Sequence, residues 1–424
     1  MIMEKVMKAE LCLVFVALVS TPEKILGQSA SRELTLQQAV ELALETSPTL
    51  DSLHAQTDAA EAELTGARTY PWNPVVELEL GDRDSPLGES TDVRAVVAQG
   101  IEIRGQRGKR IESSEAALDA AQLRFARERR LLIAGVTLAF VNALESREVL
   151  AVQDIDASLA ADLLALTEHR FRAGSISALE ASFPRVSLGR AEGSREVSRA
   201  VYRVAQAYLA EAVGIHGDEV VAPLGELSLP RREAPPMVEL LTAALDERED
   251  LLAYRRLVQA AETRLELARS EAFSTLIVGG FYHKEEGDTI LGGTLLFDLP
   301  LFDRNQGEIH AAQAQLDRAR ADAELGTLVV RREVVSAHAN FVAAVASVRH
   351  LEEAVLGNLE ENFRLLRRAF EAGKIGSGEI VIFRRELVEA QRQYVEAVGE
   401  AWRASIIMDL AAGRAPTQEK AQAD

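Results

Sequence analysis

Arg170 to Gly174 reads RFRAG and is followed by Ile176 and Glu180, while Ala369 to Gly373 reads AFEAG and is followed by Ile375 and Glu379. The two stretches lie roughly 200 residues apart, and self-similarity at one fixed offset is the signature of an internal repeat. Working outward, Ala43 to Leu50 (ALETSPTL) resembles Ala244 to Leu251 (ALDEREDL), and Ala59 to Arg68 (AAEAELTGAR) resembles Ala260 to Arg269 (AAETRLELAR). Ile111, Leu118 and Ala121 recur as Ile309, Leu316 and Ala319 at nearly the same offset. The chain therefore reads as two copies of one unit, residues 31–215 and 237–412, followed by a polar tail at 413–424. Between the copies, residues 216–236 carry Pro223, Pro230, Pro235 and Pro236 and read as a linker.

Each copy repeats one order of elements. Leu36 to Arg68 has apolar residues at helical spacing, and Pro71 and Pro74 stop it. Val76, Leu78 and Leu80 then alternate with Glu77 and Glu79, the period of a strand. Strands are expected at about 75–81 and 92–103, with a turn through Gly81, Asp82, Pro86 and Gly88. The second copy predicts strands at about 275–283 and 289–299 around the turn KEEGD, Lys284 to Asp288. From Gly105 to Phe171, and again from Arg304 to Glu371, no proline interrupts a sequence rich in Ala, Leu, Glu and Arg. A helix of that length extends about 100 Å and needs partners throughout. Leu356, Leu359, Phe363, Leu366 and Phe370 supply a coiled-coil spacing, as do Ile111, Leu118, Phe125 and Leu132. Gly174 and Gly373 suit the left-handed end of each long helix. Shorter helices return over Ser177 to Val213 and Ser377 to Leu410, and those at 48–69 and 249–272 could stack end to end on them.

Composition narrows the function. The 424 residues hold 66 Asp+Glu against 47 Lys+Arg, a net charge of −19, which disfavours a nucleic-acid partner. Sixty-six alanines and only 5% aromatics fit thin, long helices rather than a thick core. One cysteine and seven scattered histidines give no metal-ligand spacing, and no catalytic grouping or phosphate loop is present, so neither an enzyme nor a cofactor or metal site is expected. Lys5 and Lys8 precede the apolar run LCLVFVALV, Leu11 to Val19, so residues 1–30 read as an export signal. No later run is long and apolar enough for a membrane helix, which leaves a chain soluble outside the cytoplasm or inserted as strands. Four strands cannot close a barrel, whereas three copies would supply twelve strands and twelve helical columns. The expected fold is mainly α with a small β part, a trimeric 12-strand β-barrel continuous with an α-helical barrel.

Leu34 to Pro48 (LTLQQAVELALETSP), Gly100 to Arg110 (GIEIRGQRGKR), Leu299 to Ile309 (LPLFDRNQGEI) and the paired Phe-x-Ala-Gly turns together resemble the outer-membrane efflux proteins, the TolC-type channels. The wording after the two hairpins is most similar to the heavy-metal efflux subgroup, CzcC-like and CusC-like. The resemblance implies a homotrimer in the outer membrane of a Gram-negative-type bacterium, extending into the periplasm and contacting outer-membrane lipid. It implies docking to a periplasmic adaptor and, through it, an inner-membrane RND-type transporter, with metal cations or small toxic compounds as cargo. The tips carrying Phe171, Gly174, Phe370 and Gly373 would then meet the adaptor. Glu379, and Glu180 as its counterpart, would form an acidic ring at the periplasmic gate, although a glutamate at a helix start is also favoured there by the helix dipole. Glu77 and Glu79, opposite the apolar strand face, would line the barrel lumen. Arg104, Arg107, Lys109 and Arg110 would meet lipid phosphates or simply solvate a helix start.

Two other readings use the same features. An exported coiled-coil adaptor or structural protein explains the heptads but not two hairpins at duplicate positions, and a type I secretion duct uses the same architecture as an efflux channel.

Overall fold

The computed structural model describes residues 31–416 apart from 86–87, 216, 218, 231–232, 274, 286–287 and 356–358. The export segment, Pro86, His216, Leu356 and the end of the polar tail lie outside the described residues, as do the side chains of Leu359 and Phe363.

The chain begins with β1 (Ser31–Leu34), α1 (Leu36–Thr46) and α2 (Pro48–Arg68). Thr35 caps α1: its hydroxyl accepts from the Gln38 amide, while the Gln38 side chain accepts from the Thr35 amide at 3.0 Å. The single helix expected from Leu36 to Arg68 is thus two. Pro48 has no N–H to continue α1 and instead occupies the first position of α2, whose cap is the Ser47 hydroxyl.

A hairpin of β2 (Val75–Ser85) and β3 (Gly88–Ile101) follows, then α3 (Gln106–Arg172) and α4 (Ala178–Ala212). The strap between the halves holds β4 (Val220–Pro223). The order then recurs: α5 (Met237–Glu247), α6 (Glu249–Glu271), β5 (Leu276–Glu285), β6 (Asp288–Leu296), α7 (Gln306–Val355), α8 (Leu359–Glu371) and α9 (Ser377–Ala411). At 67 residues, α3 alone is about 100 Å long. The second long segment is described as α7 and α8, on either side of residues 356–358.

Both hairpins run further than their sequence suggests. Gly81 and Asp82 are paired strand residues, and the ladder continues to Ser85 opposite Gly88; Lys284 and Glu285 likewise stay in the ladder, Glu285 opposite Asp288. At the other end the strands stop earlier, at Ile101 and Leu296. The four strands form one antiparallel sheet in the order β2-β3-β5-β6.

Residues 216–236 are more than a linker. The β-branched pair Val220 and Val221 places β4 in parallel register with β1, and the Leu224 amide donates to the Leu34 carbonyl. Arg147 of α3 donates to the Pro223 and Gly225 carbonyls at 2.9 and 2.6 Å, and the Trp402 indole donates to Ser228 O. The Pro223, Gly225 and Ser228 carbonyls are therefore satisfied by the helical body.

Two main clusters fill the middle of that body. One joins α5, α7 and α9 around Phe341, and the other joins α1, α3 and α4 around Phe140. Along α3, the heptad residues Ile111, Leu118, Phe125 and Leu132 are only half-buried, whereas Ala116, Ala120, Ala134, Ala157 and Ala160 are buried. Alanines at the seams let the helices approach closely, and the abundance of that residue follows.

Candidate channel site: helix tips and strand face

At one end of the long helices, α3 and α8 stop in the same way. Gly174 and Gly373 both have φ of +71°, and the amides of Ser175 and Lys374 donate to the Arg170 and Ala369 carbonyls at 2.9 Å. The glycine amides close the inner turn onto Phe171 O and Phe370 O, completing two Schellman motifs.

The tips are tied to each other. Arg170 donates to the Phe370 carbonyl at 3.0 Å and lies over its ring, 4.9 Å from the centroid. The Ser377 hydroxyl donates to the Glu180 carbonyl at 2.8 Å, joining the starts of α9 and α4. Phe171 is exposed, but Phe370 is 1% exposed, packed with Leu163 and Ile380. The Phe370 ring is thus a support for the tip and offers no contact surface in this conformation.

Glu180 and Glu379 hold corresponding positions at the third residue of α4 and α9. The Glu180 carboxylate accepts from the Ser177 amide and that of Glu379 from the Gly376 amide, each at 2.9 Å. Both carboxylates thereby satisfy helix-start N–H groups. Ile382 and Phe383, a turn beyond Glu379, are about half-exposed. Next to them, Arg384 is buried in an ion pair with Asp156 of α3 and donates to Ser187 of α4.

The sheet has two unlike faces. Val76, Leu78 and Leu80 of β2 share one face with Val93, Ala95 and Val97 of β3 and with Tyr282, Leu291 and Leu295. Glu77 and Glu79 lie on the other face, where Glu79 pairs with Arg94 at 3.3 Å. There Arg83 reaches Asp92 at 2.8 Å and extends across β3 to Glu285 on β5. The polar face is therefore a mixed-charge network rather than a glutamate row. Gly292 makes room for Phe281 on this face: a Cβ there would stand 2.3 Å from the ring.

The basic cluster after β3 is spoken for. Arg107 donates to Arg68 O at the end of α2, Lys109 to Glu266 O near the end of α6, Arg110 pairs with Glu102, and Arg104 stacks on Phe273 at 3.5 Å. Arg107 and Lys109 thereby offset the negative ends of the α2 and α6 dipoles, which gives them a structural use besides contact with lipid phosphates.

Among the described residues no helix is long and apolar enough to cross a membrane, and no group of His, Cys, Asp or Glu could hold a metal ion. The sequence matches the outer membrane efflux protein family over residues 39–214 and 240–414. The chain belongs to this family. It is 26% identical over 404 residues to the cobalt-zinc-cadmium resistance protein CzcC of Cupriavidus metallidurans, covering 92% of both chains. Its fold is that of CusC, at a TM-score of 0.73 and 14% identity over 89% of this chain and 92% of that one. It is also that of the open-state MtrE channel of Neisseria gonorrhoeae, at 0.68 and 16% over 92% and 91%. Membership places the protein in the outer membrane with its helices in the periplasm and makes it an efflux-family channel protein rather than an enzyme.

Two features escaped the sequence reading. Gly214 and Gly413 repeat the Schellman ending at α4 and α9, with φ of +75° and +74°, and lie at the same offset as Gly174 and Gly373. The glycine spacing carried that signal. The Arg384–Asp156 pair had none, because its members lie 228 residues apart.

Proposed function

We propose that three copies assemble into a duct that passively carries metal cations or small toxic compounds from a periplasmic adaptor and an inner-membrane RND-type pump to the exterior. The observation that carries this reading is the four-stranded sheet. It has an apolar face and a charged face, and β2 and β6 sit at its two edges. In lipid those edges require partners, and identical neighbours supply them with the apolar face outward and Glu77 and Glu79 toward the lumen. The resistance named for CzcC makes divalent metals the first cargo to test. The exposed tip of Phe171, with the turns at Gly174 and Gly373, would meet the adaptor. Glu379 and Glu180 would face the narrow periplasmic end, where their capping bonds also hold the helix starts.

A deletion strain exposed to divalent and monovalent metals beside amphiphilic drugs tests the cargo. Selective metal sensitivity, rescued by plasmid, is expected; selective drug sensitivity would reassign the duct. Bilayer conductance of Glu379→Ala tests the gate: more leak or altered cation preference is expected, and unchanged conductance and selectivity would remove Glu379 from it.

A further inference from the structure

The helical body runs α4, α3, α9, α7 from side to side, since α3 packs on α4 and α9, and α9 packs on α7. Its two outer members each leave an apolar stripe open to solvent. On α4, Val197, Val201, Val204 and Tyr208 follow at spacings of four, three and four, and all are more than half exposed. On α7, Leu328, Val335 and Val342 recur every seven residues and are 60%, 49% and 46% exposed. Both are coiled-coil spacings, and apolar stripes of this length call for cover. Beside the α4 stripe, Leu131, Gly135, Leu138 and Tyr208 line an open groove of about 880 Å³, and a Cβ added to Gly135 meets nothing within 4 Å.

The internal duplication relates both stripes to a contact made inside the chain. Matching the helix endings at Gly214 and Gly413 aligns α4 with α9 and puts Val204 in the place of Arg403. Matching Phe140–Val141 with Phe341–Val342 aligns α3 with α7, so Val335 and Val342 stand where α3 has Ala134 and Val141. Within the chain these two places meet: Ala134 and Val141 join the cluster that α9 shares, and Arg403 donates to Asn142 at 3.0 Å and pairs with Glu145.

We propose that α4 of one copy packs against α7 of the next, repeating between copies the α3–α9 contact made within each, with Val204 against Val342. This rests on the assembly of copies proposed above and specifies which edges meet. The contact is head-to-tail, so its repetition closes a ring where the rotation allows. Its chemistry differs from that of the inner contact, where Arg403, Asn142 and Glu145 are polar and the outer counterparts are valines. Two seams of like geometry and unlike chemistry keep a neighbouring copy's α4 from displacing α9 on α3.

The test is disulfide cross-linking of the full chain, whose one cysteine, Cys12, lies in the segment read as an export signal. Val204→Cys combined with Val342→Cys, oxidised in outer membranes, should give covalent dimers and trimers on denaturing gels, and neither single variant should. Like-with-like dimers from Val204→Cys alone, or a cross-link to a different protein, would overturn the pairing. A three-copy mass by light scattering without the cross-link would overturn the seam and leave the duct standing, whereas a one-copy mass would overturn both. Val204→Arg, a change at an exposed position, should lower the amount of assembled protein several-fold, and Val342→Glu in the same chain should restore it. Assembly of Val204→Arg at the wild-type level would overturn the role given to the apolar seam.

Discussion

Arg384 of α9 and Asp156 of α3 form a salt bridge whose side chains keep only 7% and 11% of their exposure. Arg384 also donates to the Asp156 carbonyl at 2.7 Å and to the Ser187 hydroxyl at 2.6 Å, so one guanidinium ties α9 to both helices of the first half. Removing one member of a buried pair strands the other charge, which costs about 3–5 kcal/mol. Asp156→Ala should therefore lower the thermal midpoint markedly. A double change to Asp156→Leu with Arg384→Met should recover most of the loss, because an apolar pair of similar volume has no desolvation penalty. A double variant as unstable as the single one would show that the charges themselves are required.

Acid should act in opposite senses on two aspartates whose side chains are largely covered. Burial pushes the Asp156 carboxyl up, more than Arg384 pulls it down. Its linked contribution is then present below its unfolded value of about 3.9 and is lost as pH rises through the higher folded value. Burial also pushes Asp250 up, but the hydrogen bonds and charge of Arg248, with Arg127 and the Leu251 amide, outweigh it and hold it below the usual range. That contribution is present above the unfolded value and is lost as pH falls through the folded one. Thermal midpoints followed from pH 7 down past pH 4 should show wild type gaining on Asp156→Asn and losing its margin over Asp250→Asn. Parallel curves would contradict both assignments.

The order of elements was legible because the same short patterns occur twice and because alternation in Val76 to Leu80 cannot be helical. Strand ends were not. Gly81 and Asp82 have turn chemistry, yet cross-strand pairing to Asp92 and Thr91 keeps them extended. Side-chain roles at the tips were only half legible. The glycine at each turn follows from local backbone conformation, whereas the burial of Phe370 depends on Leu163 and Ile380, brought together by folding. Arg384 looks in the sequence like any other helix-surface arginine. Glu180 and Glu379 show why one residue supports two readings, since a helix-start glutamate caps the backbone wherever its outer surface points.

Gly292 is a sheet position where a side chain would collide with an aromatic ring. A Cβ would lie 2.3 Å from Phe281 Cζ and 2.5 Å from Cε1, so the ring must leave its place. Gly292→Val should reduce the amount of heat-modifiable assembled protein recovered from the outer membrane, and Phe281→Ala in the same chain should restore it. If Gly292→Val assembles normally, the ring is free to move and the close contact is not a constraint. Gly293, whose nearest neighbour to an added Cβ is 3.8 Å away, is the matched control and should accept alanine.

Arg83 decides how negative the polar face of the sheet is. It spans β2 to β5 and neutralises Asp92 and Glu285, while Arg94 does the same for Glu79. Glu77 has no such arginine opposite it, its register partner being Val96. In the proposed duct, Arg83→Gln removes one positive charge per subunit and releases two carboxylates into the lumen. Focused negative charge draws cations, so the permeability ratio of potassium to chloride in bilayers should rise, most strongly at low salt, where screening is weakest. Glu77→Gln should move the ratio the other way. An unchanged ratio in both variants, with conductance intact, would mean that selection is made at the periplasmic end and that the strand face only lets ions pass.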